Sequence, residues 1–72
     1  MDPYKELLET RRKNLPRLVG VNGGNSAVAA LYGCSTSYIS QLLSGKRNIN
    51  ERTARRLEEV CGSPARWLDK VR

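Results

Sequence analysis

In the segment TSYISQLLS, Thr36 to Ser44, five residues carry aliphatic hydroxyl or amide groups, and helical spacing gathers all five on one side. With Thr36 at 0° and about 100° per residue, Ser40 falls at about 40°, Ser44 at about 80°, Ser37 at about 100° and Gln41 at about 140°. Tyr38, Ile39, Leu42 and Leu43 take the opposite arc, from about 200° to about 340°. The polar face carries no charge in a chain of which 28% is Asp, Glu, Lys or Arg. Solvated helix faces ordinarily favour Glu and Lys. A row of hydroxyl and amide groups suits the reading of base edges: Gln can pair bidentately with adenine, Ser and Thr donate or accept, and Thr offers a methyl to thymine. On composition alone such a face serves equally well as plain solvated surface. Its surroundings tip the balance toward nucleic acid, because Lys46 and Arg47 flank it and the 72 residues carry a net charge of +6.

The same inventory argues against other chemistry. There is no His to activate Cys34, a serine or a threonine as a nucleophile, and none to complete a zinc site with Cys34 and Cys61. The two cysteines read as small buried apolar side chains. Most acidic residues lie within a helical turn of a Lys or Arg, the arrangement of a solvated charged face rather than of a catalytic pair. The expectation is a protein that is not an enzyme and takes no cofactor, metal or small-molecule substrate. The longest apolar run, Ala27 to Tyr32, is six residues, against the ~20 needed to span a bilayer. The basic residues do not sit opposite a large apolar face, which disfavours binding to a membrane surface. The start MDPYKELLE has acidic residues where a secretory leader would have basic ones, so residence in the cytoplasm is expected.

A chain this short supports one thin core, and the reading is a single domain over residues 1–72. Asp2 and Pro3 form a cap-then-proline helix start. An apolar stripe through Tyr4, Leu7, Leu8, Leu15 and Leu18 follows, with Arg11 inside it, its stem packed and its head reaching water or a carboxylate. Pro16 predicts a break, giving helical pieces 3–14 and 16–19. Gly20 to Gly24 reads as a loop, since a phosphate-cradling sequence would end in Gly-Lys-Ser/Thr. A helix over 25–31 stops at Gly33, and Ser35 caps the helix 36–44, which stops at Gly45. After a basic loop, Asn50 caps a fourth helix, with Ile49 and Ala54 spaced as a hydrophobic staple and Ala54, Leu57, Val60 and Cys61 facing the core. Gly62 ends it. Ser63 and Pro64 start a short last helix in which Trp67 closes the core beside Leu68 and Val71. No strand pattern or repeat interrupts this all-α arrangement of about five helices.

The tight turn at Gly33 forces helices 25–31 and 36–44 to cross steeply, with Ala29 and Ala30 small enough for the contact and Val28, Leu31, Cys34, Ile39 and Leu42 spaced to pack between them. The segment Asn25 to Gly45 resembles the helix-turn-helix of the Cro and lambda-repressor type, found in phage and prophage regulators. Ala29 stands four residues before the turn glycine, and Ile39 and Leu42 stand six and nine after it, as in that family. ERTARRLEEVCGSPARWLD is similar to the fourth and fifth helices of prophage repressors, and YKELLETRRKNLPRL more weakly to their first. The resemblance implies a sequence-specific regulator of transcription that binds double-stranded DNA as a homodimer on a pseudo-palindromic operator. It implies base reading by Thr36, Ser37, Ser40 and Gln41, and phosphate contacts from Asn25, Ser44, Lys46 and Arg47. Asn25 replaces the family's usual Gln and three readers are short hydroxyls, which shifts part of the specificity to DNA shape. Arg52 is a further phosphate candidate, Arg55 pairs with Glu51 on a solvated face, and Tyr38 divides between core and phosphate. The alternative is a helical protein-interaction module, such as an antitoxin or adaptor, whose Ser-rich face docks a protein.

Overall fold

A computed structural model describes residues 2–72. Four α-helices follow one another, α1 Pro3–Val21, α2 Asn25–Tyr32, α3 Thr36–Ser44 and α4 Glu51–Val60, and a 3-10 turn, Trp67–Asp69, closes the chain. The described residues contain no strand. No helix among them is long and apolar enough to cross a membrane.

α1 begins as its sequence dictates, with Asp2 Oδ1 accepting from the Tyr4 N–H at 2.9 Å and Pro3 in the first turn. It does not break at Pro16. That residue is exposed, so the carbonyl of Arg12, deprived of its usual donor, can be hydrated. The buried residues Arg11, Asn14, Leu15, Leu18 and Val19 form one stripe on both sides of the proline, and packing of that stripe holds the two halves on one axis. The stripe thins toward the N-terminus, where Leu7 and Leu8 are half-buried and Tyr4 is exposed.

The core joins Leu15 and Leu18 of α1, Val28 and Ala29 of α2, Ile39 and Leu42 of α3, Ile49, Ala54 and Leu57, and finally Leu68. α3 packs against α1 and α2, and α4 against α2 and the last turn. Ala29 is buried, whereas Ala30 and Leu31 turn outward, Leu31 being 50% exposed. At eight residues α2 has room for only a narrow buried edge, Val28 and Ala29. Ile49 and Ala54 are both buried, as a staple requires, and Asn50 Oδ1 accepts from the Thr53 N–H at 2.9 Å. Val60, Cys61 and Cys34 are half-buried.

The expected fifth helix is only the 3-10 turn, for a local reason. Glu58, 1% exposed, turns its carboxylate toward the C-terminal segment and accepts from the backbone N–H groups of Arg66 (3.1 Å) and Leu68 (2.8 Å). Meeting that carboxylate leaves Arg66 at φ 69, a left-handed conformation outside any α-helix. Trp67 packs half-buried on the core beneath the Arg72 guanidinium, 4.1 Å from its ring, while Val71 is 87% exposed and takes no part.

Arg11 crosses this fold at full burial, 1% exposed. Its Nε donates to Asp69 Oδ1 at 2.7 Å, one terminal nitrogen to the Ile49 carbonyl at 2.8 Å and the other to Glu51 Oε1 at 2.9 Å. Arg55 makes the expected pair with exposed Glu51 at 3.2 Å and in addition joins the network through Asp69 Oδ1 at 2.9 Å. Its Nε lies 2.9 Å from Glu58 Oε1, out of line for a hydrogen bond. Arg11 thus fixes where the loop after α3 ends and α4 begins.

Candidate nucleic-acid interface

The turn between α2 and α3 is built on one carbonyl and one glycine. Gly33 adopts φ 88 and ψ 34, which a residue with a side chain takes only under strain. The N–H groups of Gly33 and Cys34 then both donate to the Ala29 carbonyl, at 2.8 and 3.0 Å. Ser35 starts α3 at once, its Oγ accepting from the Tyr38 N–H at 3.1 Å. Burial of Ile39 and Leu42 fixes the rotation of α3 about its axis. The opposite face, Thr36, Ser37, Ser40 and Ser44, is exposed, and Gln41 stands half-exposed at its edge.

The surrounding side chains organise this face. Asn25, the first residue of α2, donates through Nδ2 to Ser40 Oγ at 3.3 Å, which joins the start of α2 to the middle of α3. Ser44 Oγ donates to the Gln41 carbonyl at 3.2 Å. Arg47 folds back onto α3, its backbone N–H donating to the same carbonyl at 3.2 Å and its Nε to Gln41 Oε1. The Arg47 guanidinium lies 5.4 Å from the centre of the Tyr38 ring, which stands 5.9 Å from that of Tyr32. Arg56 lies over the Tyr32 ring, 4.9 Å from its centre, and donates to the Tyr32 carbonyl at 2.8 Å. Tyr38 is therefore a packed, half-buried spacer between Tyr32 and Arg47.

Some of the cations are paired and others are not. Arg11, Arg12, Arg55 and Arg66 are paired with carboxylates, whereas among the described residues Lys46, Arg47, Arg52 and Arg56, and likewise Lys5, Lys13, Arg17, Lys70 and Arg72, have no carboxylate within ion-pair distance. The uncompensated positive charge includes the loop that follows α3. A groove between α1 and that loop is lined by Lys5, Arg12, Ser44 and Arg47. Lys5 and Arg12 therefore border the interface beside two of the phosphate candidates. Sequence spacing does not indicate this, because α1 meets α3 only through the tertiary fold. Arg12 is partly neutralised by Glu9 one turn earlier on α1. Cys34, in the turn, is held protonated by burial, which raises its pKa although Arg56 pulls the other way.

The structure thus brings Ser40 to Asn25 and Gln41 to Arg47 and Ser44, and leaves Thr36, Ser37 and Lys46 open to solvent. A model of a protein family described as helix-turn-helix matches residues 24–68. Comparison with curated proteins and with solved structures finds no match.

Proposed function

Since the chain belongs to the helix-turn-helix family, in its Cro and lambda-repressor type, we propose that it is a sequence-specific regulator of the phage or prophage kind. It would act as a repressor in the cytoplasm of a bacterium or phage-infected host, with residues 1–72 working as one binding domain. The observation that carries this is the face of α3: hydroxyl and amide groups, free of charge, exposed, and bordered by unpaired cations. A helix is about 10–12 Å across with its side chains and the major groove about 12 Å wide, so α3 fits lengthwise. Thr36, Ser37, Ser40 and Gln41 read base edges. Asn25 touches a phosphate at the start of α2, where Gly24 caps the helix without a side chain and leaves its first N–H groups free for an anion. Ser44, Lys46 and Arg47 hold the strand beyond.

One chain measures 35 × 25 × 19 Å. Two copies can therefore lie side by side with their α3 helices about 34 Å apart, one helical turn of DNA, on a pseudo-palindromic operator. Fluorescence titration with a random-sequence duplex at low and moderate salt tests the proposal. Binding that weakens steeply with salt is expected. Absence of binding at low salt would leave the α3 face as a docking site for a protein.

A further inference from the structure

The groove between α1 and the loop after α3 has a volume of about 300 Å³ and sets three cations, Lys5, Arg12 and Arg47, against a single carboxylate, Glu9. Lys5 and Arg12 stand seven residues apart, two turns of α1, so both fall on one flank of that helix. Across from them run Ser44, Arg47 and Asn48. The stem of Arg12 is fixed by packing. Gly45 ends α3 at φ 84, and a Cβ on that glycine would lie 3.2 Å from Arg12 Cδ. The Arg12 side chain therefore lies against the C-terminal end of α3, beside the first residues of the loop.

Cations that only donate, a serine hydroxyl and an asparagine amide are the groups that hold phosphate oxygens. The groove also adjoins the uncharged face of α3, so the anion within reach when that face enters a major groove is the sugar–phosphate strand beside it. Resting on the DNA reading proposed above, we infer that this groove seats one backbone phosphate of the duplex, with Lys5 and Arg12 supplying from α1 a contact that Arg47 and Asn48 complete from the loop. Two segments distant in sequence then grip the same point of the strand. The C-terminal end of α3 is thereby held against the backbone whatever the base sequence. Glu9 works against the seat, because its charge repels the phosphate that the three cations attract.

Titration of a random-sequence duplex over a range of salt concentrations tests the seat. The double variant Lys5→Gln, Arg12→Gln keeps the Arg12 carbons through Cδ, the atom packed on Gly45, and removes both charges. Its slope of log affinity against log salt should fall by up to about 0.9, the value of one phosphate contact. Arg17→Gln, which removes an exposed cation of α1 outside the groove, should leave the slope unchanged. Glu9→Gln should tighten binding about two- to threefold at low salt, the effect of a unit charge about 7 Å away through water. Glu59→Gln adds the same charge on α4, outside the groove, and should not. The Glu9 arm does not depend on the double variant folding. An unchanged slope in the double variant, an equal fall in Arg17→Gln, or no gain in Glu9→Gln overturns the seat and leaves DNA binding through α3 standing. An unchanged slope together with binding of inorganic phosphate alone, seen as a shift of the Arg12 side-chain signals, would give the groove to a free anion instead. Failure of the wild-type chain to bind any duplex at low salt overturns the DNA reading, and the seat with it.

Discussion

Lys46 and Gln41 stand for two kinds of contact that single substitutions can separate. Lys46 is an exposed cation with no carboxylate partner, suited to a phosphate, whose position does not depend on sequence. Lys46→Ala should weaken binding to all duplexes alike and lower the slope of log affinity against log salt by about 0.9. An unchanged slope would remove Lys46 from the backbone contacts. Gln41→Ala should cost about 1–3 kcal/mol on the best site and almost nothing on random DNA. Titration of both duplexes distinguishes these outcomes, and equal losses would mean that Gln41 reads no base. The composition of the α3 face is legible in the sequence because it depends only on helical period. The engagement of Ser40 by Asn25 and of Gln41 by Arg47 is not, since both depend on how separate segments are brought together.

Among the elements, the last turn is held to α1 by charge as much as by Leu68. Burial pushes the Asp69 carboxyl up, yet hydrogen bonds from Arg11 and Arg55 outweigh it and leave its pKa below the ordinary value of 3.8. A carboxylate whose pKa is lower folded than unfolded stabilises the fold above the unfolded value and loses that contribution as pH falls through the folded one. Urea unfolding followed against pH should therefore show stability declining below about pH 4. Asp69→Asn should flatten that decline and cost about 3 kcal/mol at neutral pH by leaving buried Arg11 underpaired; the same acid dependence in the variant would acquit Asp69. Pro16→Ala should raise stability, because proline costs ~3 kcal/mol inside a helix and stiffening of the unfolded chain returns less than about 1 kcal/mol of it. A less stable Pro16→Ala variant would mean that the ring packs in a way its exposure does not suggest. The caps, the stops at Gly33 and Gly45 and the amphipathic α3 could be read from local sequence. The continuity of α1 could not, because it rests on which side of the helix Pro16 faces. The buried Arg11 network could not either, its partners lying 38 to 58 residues away along the chain. The short final turn likewise depends on Glu58, which the helical period sets on the same face as Ala54 and Leu57 but whose charge, read from the sequence, points to solvent.

For the molecule as a whole, a small four-helix core holds one helix with its uncharged polar face outward and leaves unpaired cations in the loop that follows it. On the function proposed above, sequence specificity resides in the four side chains Thr36, Ser37, Ser40 and Gln41, and general affinity in the cations. The most direct measurement is site selection with the wild-type chain beside a variant in which those four are all alanine. The substitutions lie on the outer face of α3 and use the best helix former, so the fold should survive. The wild-type chain should enrich a pseudo-palindromic site with half-sites one helical turn apart, while the variant binds random duplex nearly as well and enriches no sequence. Recovery of the same site by both proteins would contradict base reading by this face of α3.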